Sequence, residues 1–408
     1  MTAMSTPRDG ALRGAPADRV RAALRARDPL PGGRGFAGLL ADPPDRPGPV
    51  LVRDALGREP LFVEADALDG ARSATPTAPA AWGFDPTALD DPAPVPAGGV
   101  VSAGGVDKVW RLPDPAATAD RGAAQEAVDD AVNAALADLG DDADRSGGGL
   151  AVAFSGGVDS GLVAAAVPAA PRYVAGFEGC HDVAAARDAV AAADREEPAP
   201  DLRVVEITHD DIRRAAREVA AATGRRNPMD VAIAVPLYLA GEAAAADGHH
   251  RKAHGQGADE QFGGYTKVAA PDGDDRVAAD TVRAARTETV HTLPRQLERD
   301  VPALRAAGVE PVTPLLDDRV VAAALALPSD LLVDGETRKV ALRRTAAGRV
   351  PESVRTADKK AVQYGTYVSR ELDRLARRAG YKRRMDDHVA SYLDALCADE
   401  KTAREGRD

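Results

Sequence analysis

The chain has 408 residues, of which 44% are hydrophobic, and this is enough for two domains with sizeable cores. Its formal net charge of −12 is spread along the chain, so we expect no nucleic-acid partner. Two cysteines give no disulfide framework, and no run of membrane-span length or signal peptide is visible, so we expect a cytoplasmic protein without a membrane partner.

The N-terminal part is rich in proline, glycine, alanine and arginine and has few large apolar residues. Residues 1–46 show no clear period, which predicts irregular or disordered chain. Residues 50–63 predict two strands around an Asp-x-x-Gly turn. The alanine-rich stretch 121–139 predicts an amphipathic helix that links this part to the rest of the chain.

A short apolar run at 150–154 predicts a buried strand, and the alanine-rich residues 161–167 predict the helix after it. Between them, residues 155–160 read Ser-Gly-Gly-Val-Asp-Ser. Such a turn and helix N-terminus suit a phosphate, which would be bound by the backbone at Gly156 and Gly157 and by the hydroxyls of Ser155 and Ser160. Asp159 would repel phosphate unless it held Mg²⁺. The loop therefore predicts a magnesium-pyrophosphate site, and an ordinary strand-to-helix turn is the alternative.

A second glycine-rich loop lies at 255–265, which reads Gly-Gln-Gly-Ala-Asp-Glu-Gln-Phe-Gly-Gly-Tyr. Four glycines in eleven residues are incompatible with a regular helix or strand. Asp259 and Glu260 supply further carboxylates, so the loop could hold a metal, and the alternative is a flexible surface turn. If both loops follow parallel strands, they lie at the same carboxyl edge of the sheet, where ligands bind.

Three histidines and two basic residues occupy the stretch just before that loop, at 249–254. Such a cluster could hold a metal or an anion, but zinc ligands normally come in more widely separated pairs. We therefore interpret it as a polar loop and a short, partly exposed strand.

The later part of the chain is helical in pattern. Apolar residues recur at helical spacing over 276–299 and 318–327, which predicts helices that face a core. Residues 369–408 are charged and helical, and we interpret their basic clusters as a solvated face rather than as a phosphate or partner site.

These motifs resemble a known family. Residues 155–160 resemble the pyrophosphate loop of the N-type ATP pyrophosphatases, and residues 255–265 resemble the second signature of the asparagine synthetases. Further segments follow in the order of the family over roughly residues 125–370. They lie at 227–230, 235–238, 313–317, 338–343, 350–351, 359–360 and 363–365.

The resemblance implies an α/β fold with a parallel sheet flanked by helices, of the adenine nucleotide alpha hydrolase type. A helical C-terminal part and a small β-rich N-terminal segment would accompany it. It also implies an enzyme that uses ATP and Mg²⁺. Such an enzyme activates a carboxylate, here expected to be aspartate, as an acyl-adenylate and releases pyrophosphate. Ammonia then attacks to give an amide and AMP, and a homodimer is left open.

The resemblance also assigns roles to residues of this chain. Asp159 and Asp259 would hold Mg²⁺ and pyrophosphate. Lys359 would be the catalytic lysine, and Lys360 is the alternative for that role. Without the resemblance, either lysine would be interpreted as a solvated surface charge. The β- and γ-phosphates would lie against Ser155, Gly156, Gly157 and Ser160, and AMP would lie near Ala175 and Gly255. Gln256 stands where many relatives have a glutamate, and unlike glutamate it cannot act as a base.

The N-terminal segment resembles a degenerate glutaminase domain. Residues 53–61 resemble its Arg-Asp-x-x-Gly-x-x-Pro-Leu hairpin, and residues 95–101 resemble the exit from that domain. A glutaminase of this type needs an N-terminal cysteine, and position 2 is threonine, so we expect an inactive remnant. The nitrogen would then come from free ammonia or from a separate ammonia donor.

The expected organisation is therefore an irregular segment at 1–46, the glutaminase-like segment at 47–115, the synthetase-like domain at 121–370 and a charged helical tail at 371–408. Two other functions stay open. The first is an adenylating, amide-forming enzyme with a different acceptor. The second is a weakly active nucleotide-binding protein that regulates a partner.

Overall fold

The computed structural model describes residues 11–69, 76–78, 80–145, 149–193, 200–269, 281–357, 364–384 and 387–405. The strands are β1 (Leu12–Arg13), β2 (Ala37–Leu40), β3 (Val50–Arg53), β4 (Phe62–Glu64), β5 (Trp82–Gly83), β6 (Pro92–Pro94), β7 (Gly99–Ser102), β8 (Gly105–Lys108), β9 (Leu150–Ala153), β10 (Arg172–Gly176), β11 (Leu202–Glu206), β12 (Arg251–Ala253), β13 (Glu310–Val312), β14 (Val333–Asp334) and β15 (Thr337–Arg338). The helices are α1 (Ala17–Ala26), α2 (Arg121–Arg145), α3 (Val158–Ala166), α4 (His181–Ala192), α5 (His209–Thr223), α6 (Pro228–Ala246), α7 (Ala258–Gln261), α8 (Thr266–Ala269), α9 (Val282–Val290), α10 (Leu293–Ala306), α11 (Asp318–Leu325), α12 (Ser329–Leu332), α13 (Val340–Thr345), α14 (Glu352–Thr356), α15 (Tyr364–Arg378) and α16 (His388–Glu405).

The chain forms two compact units, each built from segments that are not contiguous in sequence. The first unit consists of Met1–Ala137, Gln256–Glu298 and Thr313–Thr345. The second unit consists of Asp138–Gly255, Arg299–Val312 and Ala346–Asp408. The predicted domains at 47–115 and 121–370 were drawn from resemblance alone, and they stay a prediction.

The second unit is built on a five-stranded sheet in the order β11-β10-β9-β12-β13, and the pairings in it are parallel. Parallel neighbours need crossover connections, which α3 and α4 supply from β9 to β10 and from β10 to β11. The strand predicted at 150–154 is β9, and the helix predicted after it is α3, which begins at Val158. A parallel sheet flanked by helices confirms the predicted α/β fold class.

The strand before the second glycine-rich loop is central and buried, which corrects the prediction of a partly exposed strand. β12 lies between β9 and β13, where helices cover both faces of a parallel sheet. Lys252 is 1% exposed and His254 is 6% exposed. Burial lowers the pKa of Lys252 to about 7. Burial, together with the nearby charge of Lys252, holds the pKa of His254 well below its ordinary value.

Helix α6 could cross a membrane by length and composition, since its 19 residues include an 18-residue stretch of mean hydropathy 1.4, contrary to the expectation that the chain has no such run. Among the described residues it is the one helix that meets both criteria. Its side chains Val231, Val235 and Leu239 are buried in the main hydrophobic cluster of the second unit. The helix begins at Pro228, and the side chain of Asn227 before it accepts a hydrogen bond from the backbone of Asp230 at 2.9 Å.

Helices α15 and α16 confirm the predicted charged helical pattern, but one face of each is buried. Leu372 and Leu375 of α15 and Leu396 of α16 belong to the same hydrophobic cluster as α6. On the polar side, Asp373 forms ion pairs with Arg377 and Arg383, and His388 Nε2 lies at hydrogen-bond distance, 2.9 Å, from its carboxylate. The apolar stripes therefore hold these helices on the second unit, and the charges face outward.

Other predicted helices are present with shifted ends. The linking helix expected at 121–139 is α2, which continues to Arg145. The helical stretch expected at 276–299 is two helices, α9 and α10, with residues 276–280 outside the described residues. The helix expected at 318–327 is α11, which ends at Leu325.

The first unit contains two antiparallel sheets from its N-terminal part, in the orders β1-β2-β3-β7-β8 and β5-β4-β6. The two strands predicted at 50–63 are present as β3 and β4, but they do not form a hairpin. β3 pairs with β2 and β7, whereas β4 pairs with β5 and β6. The turn between them therefore joins two sheets. The prediction of irregular chain at 1–46 is wrong for α1 and β2, and residues 1–10 lie outside the described residues.

Buried charges hold the turn between β3 and β4. Arg58 donates to Asp54 at 2.9 Å and to Asp318 at 2.6 Å. Burial opposes the charge of Arg58, but the two carboxylates outweigh it and raise the pKa of the guanidinium. Arg53 is 0% exposed and donates to Glu298 at 2.7 Å. The N-terminal segment is thus joined by buried ion pairs to later parts of the same unit.

Candidate functional site

The loop between β9 and α3 follows the carboxyl end of a central strand of the parallel sheet. Gly156 has a φ of +74°, and a Cβ there would lie 2.4 Å from the carbonyl oxygen of Ala185, so only glycine fits. Gly157 is the N-cap of α3, and the first N–H groups of a helix have no acceptors within it. Together with the positive end of the helix dipole, they make this loop suitable for a phosphate.

The two serines of the loop bond within it. The Oγ atom of Ser160 accepts a hydrogen bond from the Ser155 N–H at 3.2 Å and donates to the Gly157 carbonyl at 3.1 Å. The two serine hydroxyls are 3.4 Å apart. These bonds fix the shape of the loop, so the hydroxyl of Ser160 is used inside the loop in this structure. Asp159 follows in the first turn of α3.

The second glycine-rich loop begins directly against the first. A Cβ at Gly255 would lie 2.8 Å from the Cβ of Asp159 and 3.1 Å from the N atom of Ser160. The preceding residue is held by a hydrogen bond from the His254 N–H to the Val312 carbonyl at 2.8 Å. Both loops therefore follow parallel strands of one sheet and touch backbone to backbone at their starts, and glycine is required at 255 because nothing larger fits.

The rest of the second loop belongs to the first unit, where it holds a carboxylate beside a lysine. Gly257 has a φ of +90° and is the N-cap of α7, and Asp259 lies in the first turn of that helix. The carboxylate of Asp259 is 2.7 Å from the ammonium group of Lys339. A Cβ at Gly264 would lie 1.9 Å from Asp259 Oδ1, so the end of the loop also closes tightly on this pair.

Lys339 is 3% exposed and has a φ of +58°, which is uncommon for a residue other than glycine. A strained backbone that carries a buried charge points to a constraint at a site rather than to ordinary packing. The ammonium group of Lys339 thus fixes the position of the Asp259 carboxylate.

Glu260 anchors the same loop from its other side. Its buried carboxylate accepts hydrogen bonds from the hydroxyl of Tyr265 at 2.5 Å and from the amide of Gln296 at 2.9 Å. The hydroxyl of Thr289 donates to its backbone carbonyl at 3.0 Å. Burial, and then the charge of Asp259, raise the pKa of Glu260. Helices α9 and α10 therefore hold the loop through Thr289 and Gln296.

A family model described as asparagine synthase matches residues 131–305 and 274–405, which is more than half of the chain. The chain belongs to the asparagine synthase family. It is also 26% identical over 285 residues to a curated protein of Methanocaldococcus jannaschii named "Putative asparagine synthetase (glutamine-hydrolyzing) 1". That match covers 60% of this chain and 50% of the relative, so the chain spans about half the length of the curated protein. The resemblance inferred from the motifs is thereby confirmed.

The structure brings together only some of the residues that the asparagine synthase resemblance assigned. One group meets in the second unit, and it consists of Ser155, Gly156, Gly157, Asp159, Ser160 and Gly255. Ala175 lies one residue before the end of β10, next to β9, and its side chain is in the hydrophobic core. Gln256 and Asp259 belong to the first unit. Lys359 and Lys360 lie outside the described residues.

Lys339 was missed as a site residue in the sequence analysis, although it lies in the family segment at 338–343. The scarcity of lysine in the chain is a signal that could have found it. The eight lysines of this arginine-rich chain are at 108, 252, 267, 339, 359, 360, 382 and 401. A lysine inside one of the family segments is therefore unusual.

The donor set suits magnesium in the way that the asparagine synthase family implies. Mg²⁺ is commonly bound by one or two carboxylates together with substrate phosphates, rather than by a complete protein cage. Within the second unit, Asp159 offers one carboxylate beside the tight backbone of Gly156 and Gly255, and within the first unit Asp259 offers another beside Gly264. Within the described ranges there is no group of three or more potential ligands that could hold a metal without phosphates.

Proposed function

We propose that this chain is an ATP-dependent, AMP-forming amide ligase that adenylates a carboxylate, with aspartate as the expected substrate, and transfers ammonia to it. The observation that carries the proposal is the backbone contact of Gly255 with Asp159 and Ser160. A contact that leaves no space for a Cβ supports a shared ligand site in which both loops approach the same phosphates. Membership of the asparagine synthase family supports the same reaction class.

In this proposal the backbone of Gly156, Gly157 and the first turn of α3 binds the pyrophosphate portion of ATP. The carboxylates of Asp159 and Asp259 would hold Mg²⁺, which when bound offsets the negative charge of the phosphates. Lys339 keeps the carboxylate of Asp259 oriented at 2.7 Å. Lys359 is proposed to stabilise the charge that develops on the departing pyrophosphate.

The nitrogen is proposed to come from free ammonia or from a separate donor. Residues 1–115 contain no cysteine, since the cysteines of the chain are at 180 and 397. The residues of the glutaminase-like turn are used structurally, because Arg53 and Arg58 form buried ion pairs with Glu298 and Asp318. This supports a segment that stabilises the synthetase rather than one that hydrolyses glutamine.

A different carboxylate acceptor is the second candidate, and two residues favour it. Gln256 cannot act as a base, and His254 places a buried imidazole directly before the second loop. A buried neutral imidazole can both donate and accept one hydrogen bond, unlike a small hydroxyl group of the kind usual at this position in the family. The acceptor would then differ from aspartate while the adenylation step stays the same.

Carboxylate-dependent exchange of labelled pyrophosphate into ATP tests both candidates. Aspartate and a panel of other carboxylic acids would each be supplied with Mg²⁺, and hydroxylamine would trap an acyl-adenylate as the hydroxamate. Exchange with aspartate supports the first candidate, and exchange with another acid alone supports the second. ATP binding without exchange for any acid would refute both and favour a regulatory nucleotide-binding protein.

Asp159→Asn should lower this exchange by about a hundredfold or more, since it removes a charge that acts on the reacting phosphates. The matched control is Asp188→Asn, because Asp188 is an exposed aspartate of α4 in the same unit. Wild-type exchange in the Asp159 variant would remove the metal assignment.

A further inference from the structure

The first unit contains a cavity that the proposed reaction does not use. It has a volume of about 460 Å³ and lies where the turn after β3, the segment after β8 and the junction of α9 with α10 come together. Its apolar lining includes Leu56, Leu112 and Pro294. This volume falls within the usual range for small-molecule sites, roughly 300–1,000 Å³, and is too large for a single inorganic ion.

The titratable side chains that line the cavity are all basic. Lys108, Arg111 and His291 line it, and no carboxylate does. Burial, and then the charges of Arg111 and Arg53, lower the pKa of Lys108, which shows that these cations lie close enough to repel one another. The net charge of the chain is −12, whereas the titratable groups that line this cavity are all basic.

Three carboxylates of the surrounding elements are already paired with other arginines. Asp54 is bound by Arg58, and Glu298 by Arg53. On β8, Asp107 is 2.9 Å from Arg46. The described residues therefore include no ion-pair partner for Arg111, and Lys108 donates to the backbone carbonyl of Ala97. An anion that entered the cavity would meet the side chains of Lys108 and Arg111, neither of which has an ion-pair partner among the described residues.

The floor of the cavity is preorganised. Leu56 lies in the Asp-x-x-Gly turn, where its N–H donates to Asp54 at 3.0 Å. The same carboxylate binds Arg58, so the turn cannot move without breaking a buried ion pair. Trp110, which precedes Arg111, is 0% exposed and donates to the Ala23 carbonyl at 3.3 Å. The Asp-x-x-Gly turn and the segment after β8, which form two sides of the cavity, are thus both held by buried groups.

The third edge of the cavity is the junction of α9 and α10, and this junction also holds the second glycine-rich loop. Val290 and His291 line the cavity, and Thr289, the residue before them, donates to the Glu260 carbonyl at 3.0 Å. On α10, Pro294 lines the cavity and Gln296 donates to the Glu260 carboxylate at 2.9 Å. A ligand that restrained this junction would act directly on the loop that carries Asp259.

We propose that this cavity is an effector site for a small organic dicarboxylate, whose binding restrains the second glycine-rich loop. Arg111 forms the bidentate contact that a planar guanidinium makes with a carboxylate, Lys108 binds the second carboxylate, and the carbon chain lies on the apolar floor. The effector acts through the α9–α10 junction. The site does not depend on the proposed ligase activity.

Isothermal titration calorimetry of the full chain with glutarate tests the binding. Butyrate, which has one carboxylate, and inorganic sulfate, which has no carbon chain, are the comparison ligands at constant ionic strength. Glutarate should bind the wild type, and the double variant K108Q/R111Q should weaken binding by about tenfold or more, because two charge-assisted hydrogen bonds are lost. The matched control is Arg25→Gln, since Arg25 is an exposed arginine at the end of α1 in the same unit.

Hydrogen–deuterium exchange tests the coupling without any turnover. Glutarate should slow exchange at residues 256–265 in the wild type and in Arg25→Gln, but not in K108Q/R111Q. Glutarate that binds no better than sulfate or butyrate, or equally well in the double variant, overturns the site. Glutarate that binds without changing exchange at 256–265 overturns its role as an effector. Because neither readout uses ATP, a failure here is distinct from a failure of the ligase proposal.

Discussion

Replacing Gly255 with alanine should separate the two glycine-rich loops. The new Cβ would lie 2.8 Å from the Cβ of Asp159 and 3.1 Å from the N atom of Ser160. Carbon atoms in normal contact are about 3.5–4.0 Å apart, so one of the two backbones has to move by about 1 Å. The atoms in contact are backbone atoms and a Cβ, which cannot rotate away as the end of a flexible side chain can.

A shift of about 1 Å at a reacting centre costs about a hundredfold in rate, so we expect pyrophosphate exchange in Gly255→Ala to fall by about that factor. Overpacking of this kind should also lower the free energy of unfolding by about 1–3 kcal/mol. The control is Gly104→Ala, because the nearest atom to a Cβ at Gly104, apart from its own chain neighbours, would be Ser102 Oγ at 3.8 Å. Wild-type exchange and stability in the Gly255 variant would contradict the close contact on which the proposed site depends.

Three further substitutions test other parts of the structure. Lys339→Met should lower pyrophosphate exchange, and in urea unfolding it should destabilise the protein by about 3–5 kcal/mol, because the Asp259 carboxylate loses its lysine partner. Wild-type exchange and wild-type stability in this variant would refute the pairing. Arg58→Met should cost a similar amount because Asp318 loses its guanidinium, and unfolding at the wild-type urea concentration would contradict this. Lys252→Met should stabilise the protein at pH 7. The pKa of Lys252 is about 7 in the folded state and about 10.4 in the unfolded state, so between these values the unfolded state binds more protons and wild-type stability rises with pH by about 1 kcal/mol per unit. The advantage of the methionine variant should therefore shrink from pH 7 to pH 9, and a constant advantage would refute the lowered pKa.

The first glycine-rich loop could be predicted from the sequence because its signals are local. Apolar residues at 150–154 specify a buried strand, and Gly156 is required by a positive φ that few other residues adopt. The start of the second loop was placed correctly for a related reason, since parallel strands send their carboxyl ends to one edge. Gly255 against Asp159 is the contact that this rule predicts.

The burial of Lys252 could not be predicted, because a run of basic residues is normally solvated. Only the position of β12 between two other strands puts that side chain in the interior, and strand order is not a local property of the sequence. The pairing of Asp259 with Lys339 was missed for the same reason, since the two residues are 80 positions apart. The hairpin that the family resemblance implied at the β3–β4 turn is absent, because the pattern shows two strands and a turn but not the partners that each strand chooses.

The buried ion pairs of the β3–β4 turn set a limit on how this protein can be divided. A truncated protein that began at residue 121 would lack Arg53 and Arg58 but would retain Glu298 and Asp318. The buried carboxylates of these two residues would then lose the guanidinium groups with which they pair. Such a truncation should give an insoluble or unfolded product even though it keeps both glycine-rich loops. The N-terminal segment would thus be required for folding of the first unit through the ion pairs that it forms with later parts of the chain.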